Sequence, residues 1–322
     1  MSVRAAGSLL VALSIAACAP RERVAADRPA GPSLSFALIG DQQYTAGEEA
    51  SFRRLMAAID TTDLAFVVHI GDIWGGRTPC TDSLREARRA QFDSAAHPFV
   101  LAFGDNDWAD CVRTGSDPLE RLAALRRAFA ATGESLGRRR LALARQEGEY
   151  REHARWSHAG VLFLTLNLPG AANNLGRGHA TDAEAARRLA AALAWLRDGF
   201  AHARAGGHRA VVVAMQADPG FRRDRLNAEW LGNARGYEPL LEELQRLTTE
   251  FAGQVVLVHG DTHTFIVDMP MADPVTKRVV ANFTRVEVFG SPDAHWVRAT
   301  IVPGDPRVFR FEPVIVPANA SP

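Results

Sequence analysis

Five apolar runs in this sequence end in short oxygen-bearing side chains. "SFALIGD" leads into Asp41 and Gln43, and "FVVHIGD" ends at Asp72. "FVLAFGDND" delivers Asp105, Asn106 and Asp107, "VVVAMQAD" ends in Gln216 and Asp218, and "VVLVHGDTH" carries His259, Asp261 and His263. A single strand-ending aspartate is ordinarily a helix cap or a turn former. Repetition at five strand ends points instead to one shared edge, because open α/β sheets bind ligands outside the carboxyl ends of their strands. Carboxylates converging there repel one another unless a cation neutralises them, so the pattern implies a site for divalent metal.

The elements that would position these residues alternate. The first three runs are buried strands separated by helical patterns at about Glu48 to Ile59 and Asp82 to Ala95, a βαβαβ series. A helix near Pro118 to Ala131 and an Arg-rich irregular segment precede the strand "GVLFLTLNLPG". A long helix from Thr181 to about Ala205, the strand "RAVVVAMQAD", a helix at Tyr237 to Phe251 and the strand "QVVLVHGDTH" follow. From Phe265 onward, "FIVDM", "RVEVFG", "WVRATIV" and "VFRFEPVIV" succeed one another without helices, which suggests an antiparallel second sheet. The expected fold class is α/β, with two sheets sandwiched by helices.

With 322 residues, 47% hydrophobic and 23% charged, the chain has enough apolar content for a full core. Its formal net charge of zero supplies no global positive field to recruit nucleic acid. "MSVRAAGSLLVALSIAAC" places Arg4 before an apolar run shorter than the ~20 residues that span a bilayer, then small residues before Cys18. The expected organisation is a signal peptide at 1–17, a flexible Pro/Ala/Arg-rich tether at 18–33 and one domain at 34–318. Ile15, Ala16, Ala17 and Cys18 resemble the bacterial lipobox. That resemblance implies lipidation of Cys18, membrane contact only through this anchor, and a place in the cell envelope on the periplasmic face of the outer membrane. Cys80 and Cys111 then remain as an even pair, which in an exported protein invites a disulfide.

In this order and on this strand pattern, "GDQQ", "GDIW", "GDND", "MQAD" and "HGDTH" resemble the calcineurin-like metallophosphoesterases over about Phe36 to His263. "GDNDWADC" and "HGDTHTF" are most similar to a bacterial subgroup of them. The resemblance implies a sandwich of two mixed β-sheets flanked by helices, and hydrolysis of a small phosphorylated substrate by a hydroxide activated between two divalent ions. Carried over position by position, it puts Asp41, Gln43, a bridging Asp72 and His263 around one ion. Asp72, Asp105, Gln216 and Asp261 surround the other, with Asn106 at the catalytic-histidine position. A one-residue shift makes Asn106 the ligand in place of Asp105.

Gln43, Gln216 and Asp261 stand where the family has histidine. Oxygen in place of imidazole makes the site harder, favouring Mn²⁺, Mg²⁺ or Ca²⁺ over iron or zinc. Without the catalytic histidine, the leaving group's proton comes from water, Asp107 or His259; His259 is also a candidate replacement ligand. Arg113 and Arg285 are the candidates for gripping phosphate through the planar guanidinium fork. Asn173 and Asn174, in "PGAANNLGRGH", are placed at the substrate entrance, and Trp74 and Trp108 at the pocket wall. The competing expectation is a catalytically weak or inactive protein of the same fold that uses the pocket for binding.

Overall fold

In the computed structural model, which describes residue 1 and residues 33–221, 236–273 and 275–320, each of the five apolar runs contains a strand. Cys18, the rest of the expected signal peptide beyond Met1, and the expected tether up to residue 32 lie outside the described residues. In chain order the elements are β1 (Leu34–Ile39), α1 (Glu48–Asp60), β2 (Val67–His69), α2 (Asp82–Asp93), β3 (Phe99–Leu101) and α3 (Pro118–Phe129). Next come β4 (Ala144–Arg145), β5 (Ala154–His158), β6 (Val161–Thr165), α4 (His179–Ala205), β7 (Ala210–Ala214), α5 (Glu238–Thr249) and β8 (Gln254–His259). The chain closes with β9 (Ile266–Asp268), β10 (Phe283–Glu287), β11 (Trp296–Ile301) and β12 (Phe309–Val314).

Side-chain alternation fixes the layers. Phe36 and Leu38 of β1 face a core shared with Phe163, Val212, Val256 and Val286, strands of the other sheet. Ala37 and Ile39 point the opposite way, onto Phe52 and Leu55 of α1 and Phe92 of α2. Leu162 and Leu164 of β6 likewise turn outward against Leu196 and Phe200 of α4 and Leu244 of α5. Two-sided burial of this kind explains why these strands read as near-continuous apolar runs. The result is helices, sheet, sheet, helices.

The helices start where local chemistry allows. Thr81 caps α2 by accepting the Leu84 N–H at 3.2 Å. Asp117 caps α3 by accepting the Leu119 N–H at 2.8 Å, with Pro118 at the first helical position.

Both sheets are mixed. The five-stranded sheet runs β12-β11-β1-β2-β3 and the seven-stranded sheet β4-β5-β6-β7-β8-β10-β9. The chain beyond Phe265 therefore does not build an antiparallel sheet of its own. β10 lies parallel to β8, while β11 crosses to the other sheet and pairs antiparallel with β1. Part of the segment expected to be irregular also folds as β4 and β5, at the edge of the second sheet.

Cys80 and Cys111 form a disulfide, with Cα atoms 5.7 Å apart and a sequence separation of 31. It ties the loop after β2 to a short 3-10 turn, Ala109–Thr114, after β3. Closing a loop of that length removes ~4 kcal/mol of chain entropy from the unfolded state. Replacing both cysteines by serine is expected to lower unfolding free energy by about that amount in a urea titration under oxidising conditions. A change below about 1 kcal/mol would contradict the estimate.

Candidate active site

The Gly-Asp pairs owe their glycines to close packing at the carboxyl edge. A Cβ on Gly104 would overlap Asp72 Oδ1, and one on Gly260 would overlap Asp41 Oδ2. Each glycine thus leaves room for a carboxylate from a different strand. The backbone at this edge is also bent: Asp41 (φ 51°), Gln43 (60°), Asp72 (58°), Asp261 (76°) and His263 (63°) are all left-handed. Such residues cost ~1–3 kcal/mol each and persist where surrounding structure over-determines them.

Neutral hydrogen-bond donors link the acids. The Tyr44 hydroxyl lies 2.7 Å from Asp72 Oδ2, 3.3 Å from Asp41 Oδ1 and 3.2 Å from His263 Nε2. The Gln216 amide nitrogen lies 3.4 Å from Asp41 Oδ1 and 3.2 Å from Asp261 Oδ1. His263 Nδ1 stands 2.8 Å from the Ser291 carbonyl. A carbonyl can only accept, so Nδ1 carries a proton, and Nε2 is the ring nitrogen turned to the cluster.

Burial, and then the charges of Asp105 and Asp41, raise the Asp72 pKa well above the carboxylate range. Burial, and then Asp261, do the same to Asp41. Asp105 is pushed up to about 7 by burial and by Asp261 and Asp110. These are the signs of acids crowded together in low dielectric.

Tyr44, Asp72, Asp105, Asn106, Asp261 and His263 line an open cleft of about 280 Å³, and Gly76, Arg77, Asp110 and Arg113 complete its wall. Arg113 Nη1 binds Asp110 Oδ2 at 2.6 Å, and Arg177 Nη2 holds the other oxygen of Asp110 at 2.6 Å. Arg77 is exposed at the mouth, with no hydrogen-bond or ion-pair partner among the described residues. Tyr44 and Arg77 escaped the sequence reading. The only signal for Tyr44 was its place three residues after Asp41.

Several expected site residues stand elsewhere. Gln43 turns to α2, where its amide donates to Gln91 Oε1 at 3.2 Å. Asp107 is buried and accepts three backbone N–H groups, from Asp72, Ile73 and Gly104, so it clamps the second loop to the third. His259 is fully buried on β8, its Nδ1 3.0 Å from the Gly260 carbonyl, and burial lowers its pKa to about 4. Arg285 is spent on Asp268, its partner across the β9–β10 ladder, through contacts of 2.7 and 2.6 Å. Trp74 and Trp108 are buried; Trp74 Nε1 donates to the Asn106 carbonyl at 2.7 Å, underneath the loop.

Asn173 and Asn174 are buried too, at the end of a turn in which Ala171, Ala172, Asn173 and Asn174 are all left-handed, with φ from 52° to 64°. Fully buried Arg188 on α4 restrains it, donating to Asn173 Oδ1 at 2.5 Å and to the Asn167 carbonyl at 2.8 Å. From the other side, Tyr237 donates to the Pro169 carbonyl and accepts the Asn173 N–H. The turn matters because it sets Gly170 against the acids: a Cβ there would come within 2.5 Å of Asp261 Oδ1 and 3.0 Å of Asp105 Oδ2.

Glu287, buried on β10, accepts from the Thr262 hydroxyl and from the Thr264 N–H, and burial raises its pKa from 4.5 to about 7. A raised carboxyl pKa means the fold keeps a proton that the unfolded chain has already released. The associated stability is complete below the unfolded value of 4.5 and is lost as pH rises through about 7. Glu287→Gln is therefore expected to gain stability relative to the wild type as pH increases, in urea titrations at about pH 5 and pH 8. A difference that does not change with pH would contradict this.

Among the described residues, no three His, Cys, Asp or Glu side chains stand close enough to hold one ion as placed. The interposed Tyr44 hydroxyl and Gln216 amide account for this spacing. In chemistry, the cleft side of the cluster fits a hard divalent cation: Asp72, Asp105 and Nε2 of His263 are suitable donors. A positive charge there would also relieve the repulsion that holds the acids' pKa values up. The Gln216 side does not fit, because the amide nitrogen and not the oxygen faces Asp41 and Asp261.

The structure is similar to that of PhoD, with a TM-score of 0.54 and 16% identity over 85% of this chain and 65% of that one. It is equally similar to a purple acid phosphatase from yellow lupin seeds, with a TM-score of 0.54 and 13% identity over 84% of this chain and 49% of that one. The chain spans about two thirds of the first protein and half of the second. No protein-family model and no curated protein matches the sequence. The two mixed sheets flanked by helices are the fold of the calcineurin-like metallophosphoesterases.

Proposed function

We propose that this chain is a phosphoesterase of the bacterial cell envelope, hydrolysing a small phosphomonoester or phosphodiester with the aid of Mn²⁺, Mg²⁺ or Ca²⁺. The observation that carries the reading is one cleft, at the carboxyl edge of this fold, that combines Asp72, Asp105, Asp261 and His263 with Asn106, Arg77 and Arg113. Asp72, Asp105 and His263 would hold the cation. When bound, it supplies Lewis acidity, drawing charge from a phosphoryl oxygen and making water more acidic.

The chain's own groups do the rest. Arg77 is free to meet a phosphate oxygen from the solvent side, and Arg113, half-exposed and aimed by Asp110, meets another. Asn106 faces the same space and can donate its amide to a substrate oxygen. Asp107, His259, Asn173 and Arg285 act by holding the frame.

A second reading, a binding protein of this fold without turnover, is favoured by the neutral Tyr44 and Gln216 bridges, which satisfy acids that a catalytic cation would otherwise occupy. Release of p-nitrophenol from p-nitrophenyl phosphate and its bis-ester, with added Mn²⁺, Mg²⁺ or Ca²⁺, separates the two. Cation-dependent turnover supports the enzyme; phosphate binding without turnover supports the binding protein.

The envelope location rests on the N-terminal sequence, with lipidated Cys18 as the anchor. Cys18→Ser is expected to move the protein from the membrane fraction to an unprocessed precursor or a soluble form. Unchanged processing and fractionation would remove the anchor.

A further inference from the structure

We propose that Gln216 takes the place of a cation, so that the chain binds no more than one divalent ion where the resemblance implies two. The inference rests on reading the acid cleft as a cation site, and the orientation of one amide carries it. The Gly170 N–H donates to Gln216 Oε1 at 2.5 Å. That contact requires oxygen at this end of the amide, because two donors cannot face each other. The NH₂ end is thereby aimed at Asp41 Oδ1 and Asp261 Oδ1, both acceptors. The assignment is over-determined, since the flipped amide would break contacts at both ends.

Two consequences follow. The one oxygen of Gln216 is turned to the Gly170 N–H, and the amide nitrogen, which has no lone pair to give a metal, faces Asp41 and Asp261 in its place. The space between Asp41 and Asp261, where a second ion would balance their charge, holds an amide nitrogen carrying two partly positive hydrogens. Gln216 is fully buried, and its backbone partner sits on the left-handed turn held by Arg188 and Tyr237, so it cannot swing out without dismantling that turn. The Asp261 N–H donating to Asp41 Oδ2 at 3.2 Å, and the Asp218 N–H donating to Asp261 Oδ2 at 3.3 Å, satisfy the remaining oxygens of this acid pair. Protein groups alone thus satisfy Asp41 and Asp261, and the cation is left with the Asp72, Asp105 and His263 side of the cleft.

The test is metal stoichiometry. Protein stripped with EDTA and re-equilibrated with Mn²⁺ is assayed by elemental analysis per chain, for wild type and Gln216→His. The expected result is at most one ion for the wild type and one more for Gln216→His, whose imidazole supplies the missing lone pair. Two ions in the wild type, or a folded Gln216→His with an unchanged count, would overturn the proposal.

If Gln216→His does not fold, Gln216→Glu serves. Its fifth carboxylate should lower the melting temperature in EDTA, and Mn²⁺ should raise it by more than in the wild type; an equal Mn²⁺ shift in both proteins overturns the idea. A wild type that binds no ion while Gln216→His binds one supports the assignment of Gln216 and counts against the metal-dependent phosphoesterase reading, so the two failures are distinguishable.

Discussion

Replacing Asp72 by asparagine is expected to abolish Mn²⁺ binding and to reduce phosphoester turnover on the order of 100-fold to 1,000-fold, the scale of losing one preorganised electrostatic group. Asp72 sits between the walls of the site. One of its oxygens accepts the Tyr44 hydroxyl at 2.7 Å, and the other accepts the Asn106 N–H at 3.0 Å. Asparagine keeps the shape, loses the charge and can accept on one side only.

The metal-free fold should tolerate this change, since Asp72 is an acid whose ionisation burial and its neighbours already oppose. Asp107→Asn is the informative contrast. Three backbone N–H groups converge on that carboxylate, an amide cannot accept all three, and the expected loss is ~1–3 kcal/mol of stability for the stranded donors. Thermal melts in EDTA beside turnover with Mn²⁺ separate the two variants. Undiminished turnover in a folded Asp72→Asn protein would contradict the assignment of Asp72.

Removing Arg188 should have the largest effect on the fold itself. Its guanidinium is fully buried, paired with Glu184 at 2.9 Å, stacked 5.0 Å from the Trp108 ring centre and bonded to Asn167 and Asn173. Arg188→Ala strands Glu184 without its cation and frees the left-handed turn that carries Gly170. Breaking a buried pair from one side costs ~3–5 kcal/mol. Turnover should fall with stability, because Gly170 packs against Asp105 and Asp261 and orients Gln216. Urea unfolding of wild type and variant gives the magnitude. A loss below about 1 kcal/mol would show that the turn is held without Arg188.

How much of this the sequence disclosed varies with the kind of information. The strands were legible because burial on both sides leaves unbroken apolar runs in β1, β6 and β7, and the helices because helical patterns separate those runs. The convergence of Asp72, Asp105, Asp261 and His263 was legible from their common place after strands. The return of β11 to β1 was not, since an alternating strand looks the same whichever sheet it joins.

Side-chain direction was hidden as well. Gln43 and the Ala171–Asn174 turn adopt left-handed backbone, which for residues other than glycine is uncommon and unmarked in the sequence. Arg285 looked like a phosphate ligand only because its cross-strand partner, Asp268, depended on a register that had not been seen. Tyr44 was overlooked because an aromatic residue beside a strand end is ordinarily core, and its hydroxyl reveals a polar role only once Asp41, Asp72 and His263 surround it.

The most direct test of the central claim is anomalous diffraction at the manganese edge from crystals grown with Mn²⁺. The expected result is a single peak in the cleft bounded by Asp72, Asp105 and His263, with the Gln216 amide still between Asp41 and Asp261. A map with no peak in that cleft would contradict the claim that it is a cation site.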